Sequence, residues 1–124
     1  MLTAFSFFNK KIKDFFFDGE TISEEDIKAK WILIQHKNGF EITDFLSNYI
    51  TETKILWHRW FNYAKENTIP AKIISGKNDV IFNENEANNF AEELKNSKLF
   101  IIDNCGHYPM LEKPEELLTL ILQS

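Results

Sequence analysis

The sequence has a single cysteine, Cys105, and it lacks the paired or clustered cysteines and histidines of disulfide frameworks and metal sites. One thiol cannot build an internal disulfide framework, and we expect no metal and no cofactor. Basic residues are in the minority: 14 Lys and Arg stand against 19 Asp and Glu, for a net charge of −5. This balance argues against nucleic acid or an anionic membrane as the partner.

Long apolar runs are absent too. The stretch from Met1 to Phe8 is briefly apolar, and basic residues follow it at Lys10 and Lys11. A signal peptide has the opposite order, and a membrane span needs more residues. We therefore expect this stretch to be buried or to face a partner. The lone thiol favours a reducing, cytoplasmic setting.

Aromatic residues are abundant. The 124 residues suffice for one compact domain, and 15% of them are aromatic, including 12 Phe. Such side chains carry large apolar surfaces, so much of the chain must be buried against something.

Residues 1–67 contain no proline and show apolar residues at helical spacing, which predicts three or four helices. Ser23 precedes acidic residues and is a good helix start. Asn38–Gly39 is a break, after which Thr43 or Ser47 could cap the next helix, and a further helix is predicted over Thr51–Glu66. The apolar positions of the first predicted helix are Phe7, Ile12, Phe15 and Phe16.

Residues 68–124 have a different pattern. Two short apolar runs, Ala71–Ser75 and Lys98–Asp103, predict strands buried on both faces. A helix over Asn83–Lys95 separates them, and a last helix over Glu115–Leu122 is opened by Pro114. Buried strands joined by a helix predict a parallel pair with a right-handed crossover, and hence an α/β fold.

Two candidate chemical groups follow the two strands. Asp79 comes after the first strand and His107 after the second. The carboxyl ends of parallel strands meet at one sheet edge, so a carboxylate and an imidazole should lie close together there. A carboxylate can orient a histidine that accepts a proton. Taken singly, Asp79 could be a turn former or helix cap, and His107 a surface residue.

The sequence around both groups resembles the α/β-hydrolases. Ile69–Asp79 is similar to their acid-bearing strand and turn, and Asn104–Glu115 carries their Gly-His-x-Pro-x-x-Glu-x-Pro pattern. The resemblance implies Asp79 as triad acid and His107 as general base. Together with the histidine loop, Arg59–Trp60 looks like the haloalkane dehalogenase and epoxide hydrolase branch.

This resemblance covers the C-terminal half of that fold and implies a division of the chain. Residues 68–124 would be the C-terminal part of the hydrolase core, two parallel strands with flanking helices. Residues 1–67 would be a helical region like the cap that roofs the active site in such enzymes.

A nucleophile elbow is missing from the printed sequence. In the family a G-x-S-x-G or G-x-D-x-G turn precedes the acid and the histidine. The serines, none of which lies between two glycines at that spacing, are Ser6, Ser23, Ser47, Ser75, Ser97 and Ser124. Losing a triad nucleophile costs on the order of a million-fold in turnover. The chain alone is therefore expected to lack the family's activity.

Other residues have two interpretations each. Tyr108 and Trp60 could line a substrate pocket or simply pack, and the same holds for Trp57. Glu112 could tune His107 electrostatically, although its place before Pro114 suggests a role at a helix N-terminus.

The function predicted is that of a hydrolase fragment. The complete protein would bind a small apolar ester, epoxide or haloalkane, with a serine or aspartate nucleophile. Its partner would be the missing N-terminal half or a second copy, because the first strand should expose an unpaired edge. The alternative is a non-catalytic interaction or dimerisation module retaining half of the fold. A small enzyme with a different active site has no motif to support it.

Overall fold

The computed structural model describes residues 4–46 and 48–123. Its N-terminal part is helical. The α-helices are α1 (Ala4–Lys13), α2 (Glu24–Gln35), α3 (Gly39–Leu46) and α4 (Asn48–Glu66), with a short 3-10 turn at His36–Asn38 between α2 and α3. Met1–Thr3, part of the apolar stretch expected to be buried or partner-facing, lie outside the described residues.

One predicted helix start and one predicted break are confirmed. Ser23 caps α2, its hydroxyl accepting a hydrogen bond from the Asp26 amide at 3.0 Å. The predicted break is also present, since Lys37 and Asn38 have positive φ. The cap proposed at Thr43 is wrong, because α3 already begins at Gly39 and includes that residue. Ser47 lies outside the described residues.

The first helix is shorter than its apolar pattern suggested. It ends at Lys13, and Phe15 and Phe16 lie in the turn that follows. Their rings pack with Tyr108 at centroid distances of 6.1 and 5.1 Å, so a tertiary contact determines their position.

The second part contains the sheet. Its elements are β1 (Ala71–Gly76), α5 (Glu84–Glu93), β2 (Ser97–Ile102), α6 (Pro109–Glu112) and α7 (Pro114–Leu122). The strands pair in parallel, from Ala71 opposite Ser97 to Gly76 opposite Ile102, which confirms the predicted α/β arrangement. Helix α5 contacts both strands. The short helix α6 was not predicted.

Burial of the strands differs from the expectation. Only their carboxyl ends are buried, at Ser75, Gly76 and Ile102, whereas Ala71 and Lys98 are exposed. The prediction of strands buried on both faces is therefore wrong for their first halves. Within the described residues the sheet has two strands, which leaves one edge of each strand without a partner strand.

Helix α7 is tied to the sheet by a lysine. The Lys72 ammonium group donates hydrogen bonds to the carbonyls of Leu120 at 2.9 Å and Ile121 at 3.0 Å, and also contacts the Gln123 carbonyl. The carbonyls at the end of a helix have no intrahelical donor and carry partial negative charge. Lys72 thus stabilises α7 against β1.

Aromatic and aliphatic clusters join the helical part to the rest. One contains Phe16, Ile22 and Ile27, with Tyr108 packed against it. The other lies between α4 and α5, and its rings are those of Trp57, Phe61, Phe82 and Phe90. An ion pair between Lys65 and Glu93 links the same two helices.

Many large apolar side chains nevertheless remain exposed, including Leu33 at 72% and Phe45 at 73%. In the described part of the chain, no helix has both the length and the apolar character required to cross a bilayer.

Three backbone segments meet where the strands end. A Cβ atom on Gly76 would lie 2.2 Å from the Gly106 carbonyl oxygen, and one on Gly106 would lie 2.4 Å from the Phe15 carbonyl oxygen and 2.8 Å from the Phe17 nitrogen. Only glycine permits such close approach between backbones.

The Gly106→Ala substitution should therefore destabilise the chain. The added methyl group meets backbone atoms that cannot move independently, and we expect a loss of about 1–3 kcal/mol in the free energy of unfolding. Urea denaturation measures this loss. In the control Gly19→Ala the nearest atom is Lys13 Cβ at 3.0 Å, and the loss should be smaller. Equal stability of both variants would contradict the close packing at Gly106.

Candidate active site

Asp79 lies in the loop after β1, which is hydrogen-bonded to the end of β2 and to the loop after it. The Lys77 amide donates to the Ile102 carbonyl at 2.9 Å, and the Asn78 amide to the Cys105 carbonyl at 2.8 Å. Parallel pairing of the strands places these two loops side by side at one sheet edge, as the sequence predicted.

The Asp79 carboxylate is buried, with 8% of the residue exposed. Its Oδ1 accepts hydrogen bonds from the amides of Ile81 at 2.7 Å and Phe82 at 3.0 Å. These amides fix the carboxylate and compensate in part for its removal from water. Asp79 thus forms a turn, which is one of the roles predicted for it, and its carboxylate also contacts His107 outside that turn.

The His107 imidazole is hydrogen-bonded to the same carboxylate. Its Nδ1 lies 2.9 Å from Asp79 Oδ2 and 3.1 Å from Oδ1, and its side chain is 36% exposed. A carboxylate can only accept, so Nδ1 carries the hydrogen, and Nε2 of the neutral ring keeps its lone pair. A histidine held in this way can accept a proton from a group near Nε2.

The loop that carries His107 is fixed on its other side by the helical part of the chain. The His107 amide donates to the Phe15 carbonyl at 2.7 Å. Glu112 accepts from the amide of Gly106 and from that of Phe17, both at 2.8 Å. The loop therefore lies between the end of β1 and the segment Phe15–Phe17.

Comparison with known proteins identifies the fold. No family model matches the chain. The crystal structure of a serine hydrolase involved in carbazole degradation, the CarC enzyme, superposes with a TM-score of 0.66 at 19% identity, over 90% of this chain and 45% of that one. The chain has part of an α/β-hydrolase fold.

Two relatives in sequence are also hydrolases by name. LipZ of Mycobacterium tuberculosis is 24% identical over 94 residues, which is 76% of this chain and 33% of that protein. Monoacylglycerol lipase ABHD6 of Mus musculus is 33% identical over 54 residues, or 44% of this chain and 16% of that protein. The chain thus spans a third or less of the length of these relatives.

Tyr108 is half-buried and packs against other aromatic rings. Its ring contacts those of His107 at 5.2 Å and Phe16 at 5.1 Å, and it lies against the cluster of Phe16, Ile22 and Ile27. Tyr108 therefore packs against these neighbours, and its place in a substrate pocket stays a prediction.

Trp60 lies elsewhere. It is 45% exposed, in a groove formed along α4 that contains neither Asp79 nor His107, and whose lining residues are Arg59, Trp60, Asn62, Tyr63 and Glu66. Trp57, three residues earlier, stacks on Phe61 at 5.1 Å. The structure therefore does not bring Trp60 to the Asp79–His107 pair, and its substrate role stays a prediction.

Glu112 differs from one expectation. Lys113 is the residue preceding α7, and the Glu112 carboxylate binds the amides of Gly106 and Phe17 instead of those of α7. The role predicted for Glu112 at a helix N-terminus has no capping hydrogen bond at α7 to support it and stays a prediction. Phe15, whose ring lies 5.8 Å from the His107 ring, was predicted only as an apolar position of the first helix and not as a residue of the site. The Phe-Phe-Phe run was the available signal, but it indicated only a buried helix face.

Ser75 and Cys105 are both buried. The Ser75 hydroxyl is buried and donates to the Phe82 carbonyl at 3.3 Å. Ser47 and Ser124 lie outside the described residues. Cys105 has no exposed surface; burial, with a smaller contribution from the nearby Glu112 carboxylate, raises the pKa of its thiol from the ordinary value of 9.0 to about 11.

Removal of the Asp79 carboxylate should destabilise the chain. In Asp79→Ala the amides of Ile81 and Phe82 lose their acceptor, and we expect a loss of about 1–2 kcal/mol in the free energy of unfolding. Urea denaturation measures it. The control is Asp103→Ala at the end of the other strand, where the carboxylate forms an exposed ion pair with Lys77 and should contribute little to stability. Equal losses would contradict the role assigned to Asp79.

Cys105 should react slowly in the folded chain. Its raised pKa keeps the thiol protonated at pH 8, where the thiolate fraction is about a hundred-fold lower than at the ordinary pKa. Because unfolding restores that pKa, this group contributes stability below about pH 9 that is lost as the pH rises through about 11. Iodoacetamide labelling at pH 8, with and without urea, measures the difference. Equal rates in both conditions would refute it.

Proposed function

We propose that this chain supplies the acid and the general base of a hydrolase site, Asp79 and His107, and that another polypeptide segment supplies the nucleophile. The observation that carries the proposal is the hydrogen bond of 2.9 Å between the buried Asp79 carboxylate and Nδ1 of a partly exposed imidazole. The printed sequence contains no G-x-S-x-G or G-x-D-x-G elbow, and the chain would thus be the C-terminal, proton-handling part of a complete enzyme.

The chemistry follows from the orientation of the ring. A serine hydroxyl near Nε2 would lose its proton to the imidazole as its oxygen attacks an ester carbonyl, and Asp79 would stabilise the imidazolium. The imidazolium would then protonate the leaving alcohol. A water molecule, deprotonated in the same way, would release the acid and restore the serine.

An ester is the substrate class best supported among those predicted. The structural neighbour is named a serine hydrolase and one relative a monoacylglycerol lipase. Phe15 and Tyr108 lie with ring centroids 5.8 and 5.2 Å from that of His107, and these apolar neighbours suit a small apolar substrate. Epoxides and haloalkanes, expected of the branch that the motifs resemble, remain the alternatives with an aspartate nucleophile.

A second candidate function is an interaction module without catalysis. The exposed apolar side chains and the unpaired strand edges favour it, because such surfaces promote association with a second copy or with the remainder of the fold. The two proposals differ in whether His107 matters for turnover.

The complete reading frame that contains this chain provides the test. We expect an in-frame elbow upstream of Met1, labelling by a fluorophosphonate probe, and hydrolysis of p-nitrophenyl butyrate. His107→Gln should lower turnover by about a thousand-fold or more, because the imidazole is the group proposed to take the proton. His58→Gln, at an exposed histidine of α4, is the control and should retain full turnover.

The chain of the printed sequence alone should show no turnover of the ester, of styrene oxide or of 1-bromobutane. Turnover by the chain alone that depends on His107 would overturn the missing-nucleophile proposal. A complete frame without an elbow, or one whose activity is unaffected by His107→Gln, would favour the interaction module.

A further inference from the structure

Glu112 holds two distant parts of the chain with one carboxylate. Its Oε1 accepts the Gly106 amide and its Oε2 the Phe17 amide, each at 2.8 Å. The second contact joins residues 95 positions apart in the sequence. Glu112 is only partly exposed, and hydrogen bonds from backbone amides to a carboxylate are among the stronger kind.

A third hydrogen bond lies beside these two. The His107 amide donates to the Phe15 carbonyl at 2.7 Å, one residue after the Gly106 amide that binds Glu112. The backbones touch here, since a Cβ atom on Gly106 would meet Phe15 and Phe17. Gly106 and His107 are thus attached to the segment Phe15–Phe17 through three hydrogen bonds, two of them made by Glu112.

The consequence concerns the imidazole. Asp79 is fixed by the loop after β1, through the amides of Ile81 and Phe82. His107 is fixed by a different set of contacts, those of its own loop with Phe15–Phe17. The Nδ1–Oδ2 distance of 2.9 Å therefore depends on the relative position of the two loops, which the hydrogen bond from the Asn78 amide to the Cys105 carbonyl also helps to fix. A shift of about 1 Å in either loop would break the hydrogen bond between Asp79 and His107.

We propose that Glu112 is the positioning residue of His107: it holds the histidine loop against Phe15–Phe17 and so keeps Nδ1 on the Asp79 carboxylate. Any effect of Glu112 on catalysis rests on the proposed function. Its effect on the His107 imidazole can be measured in this chain alone.

The test measures the ring of His107 directly. Two-bond nitrogen–proton NMR spectra of the purified chain, at a pH where the ring is neutral, distinguish a ring protonated at Nδ1 from one protonated at Nε2. We expect the Nδ1–H form in the wild type. Glu112→Gln replaces one acceptor oxygen with a donor, so one amide is released and the spectrum should lose the pure Nδ1–H signature. Asp79→Asn should also lose it.

The matched control is Glu115→Gln, which removes the same charge from an exposed glutamate in the first turn of α7. It should leave the ring signals unchanged. If Glu112→Gln lowers stability in urea and the ring signals still match the wild type, Glu112 is merely structural and the proposal is overturned. Unchanged stability together with unchanged ring signals overturns it too.

Glu112→Asp covers the case in which the glutamine variant does not fold. A side chain shorter by one methylene keeps the charge and can reach only one of the two amides, so we expect an intermediate mixture of tautomers. A folded Asp variant with wild-type ring signals would contradict the proposal. These readouts do not use activity, so an inactive complete enzyme would refute the proposed function and leave the tautomer result standing.

Discussion

The contact between the loop after β2 and the segment Phe15–Phe17 is the constraint on which the rest of the site depends. At this contact the backbones are too close for any side chain at Gly106. The Phe15 carbonyl accepts from the His107 amide, and the Glu112 carboxylate accepts from the amides of Gly106 and Phe17. The helical part of the chain, expected to be a cap, thereby also supports the histidine loop of the α/β-hydrolase fold. Assignment of residues 1–67 as a separate cap region stays a prediction.

The second constraint is the burial of Asp79. A carboxylate out of water needs partners, and this one has two amides and an imidazole. The arrangement stabilises the turn after β1 and orients His107 at the same time. Asp79 can do both because Oδ1 accepts the two amides, while Oδ2 lies 2.9 Å from His107 Nδ1.

Local sequence was sufficient for much of the fold. Ser23 before acidic residues located α2, Pro114 located α7, and the apolar runs located β1 and β2 to within one residue at each end. Parallel strands then placed Asp79 and His107 at one sheet edge without further information. The expected burial of both strands was wrong at Ala71 and Lys98, because burial depends on what covers a strand as well as on its residues.

The sequence by itself therefore determined the order of the elements and the two loops that bear the acid and the histidine, since capping, proline placement and strand ends are local properties. The tertiary structure alone decided that α1 stops before Phe15, that Glu112 binds the Gly106 and Phe17 amides, and that Trp60 lies in a groove away from His107. The physical reason is that such contacts join residues up to 95 positions apart, and that Glu112 binds backbone amides, which leave no pattern in the side chains.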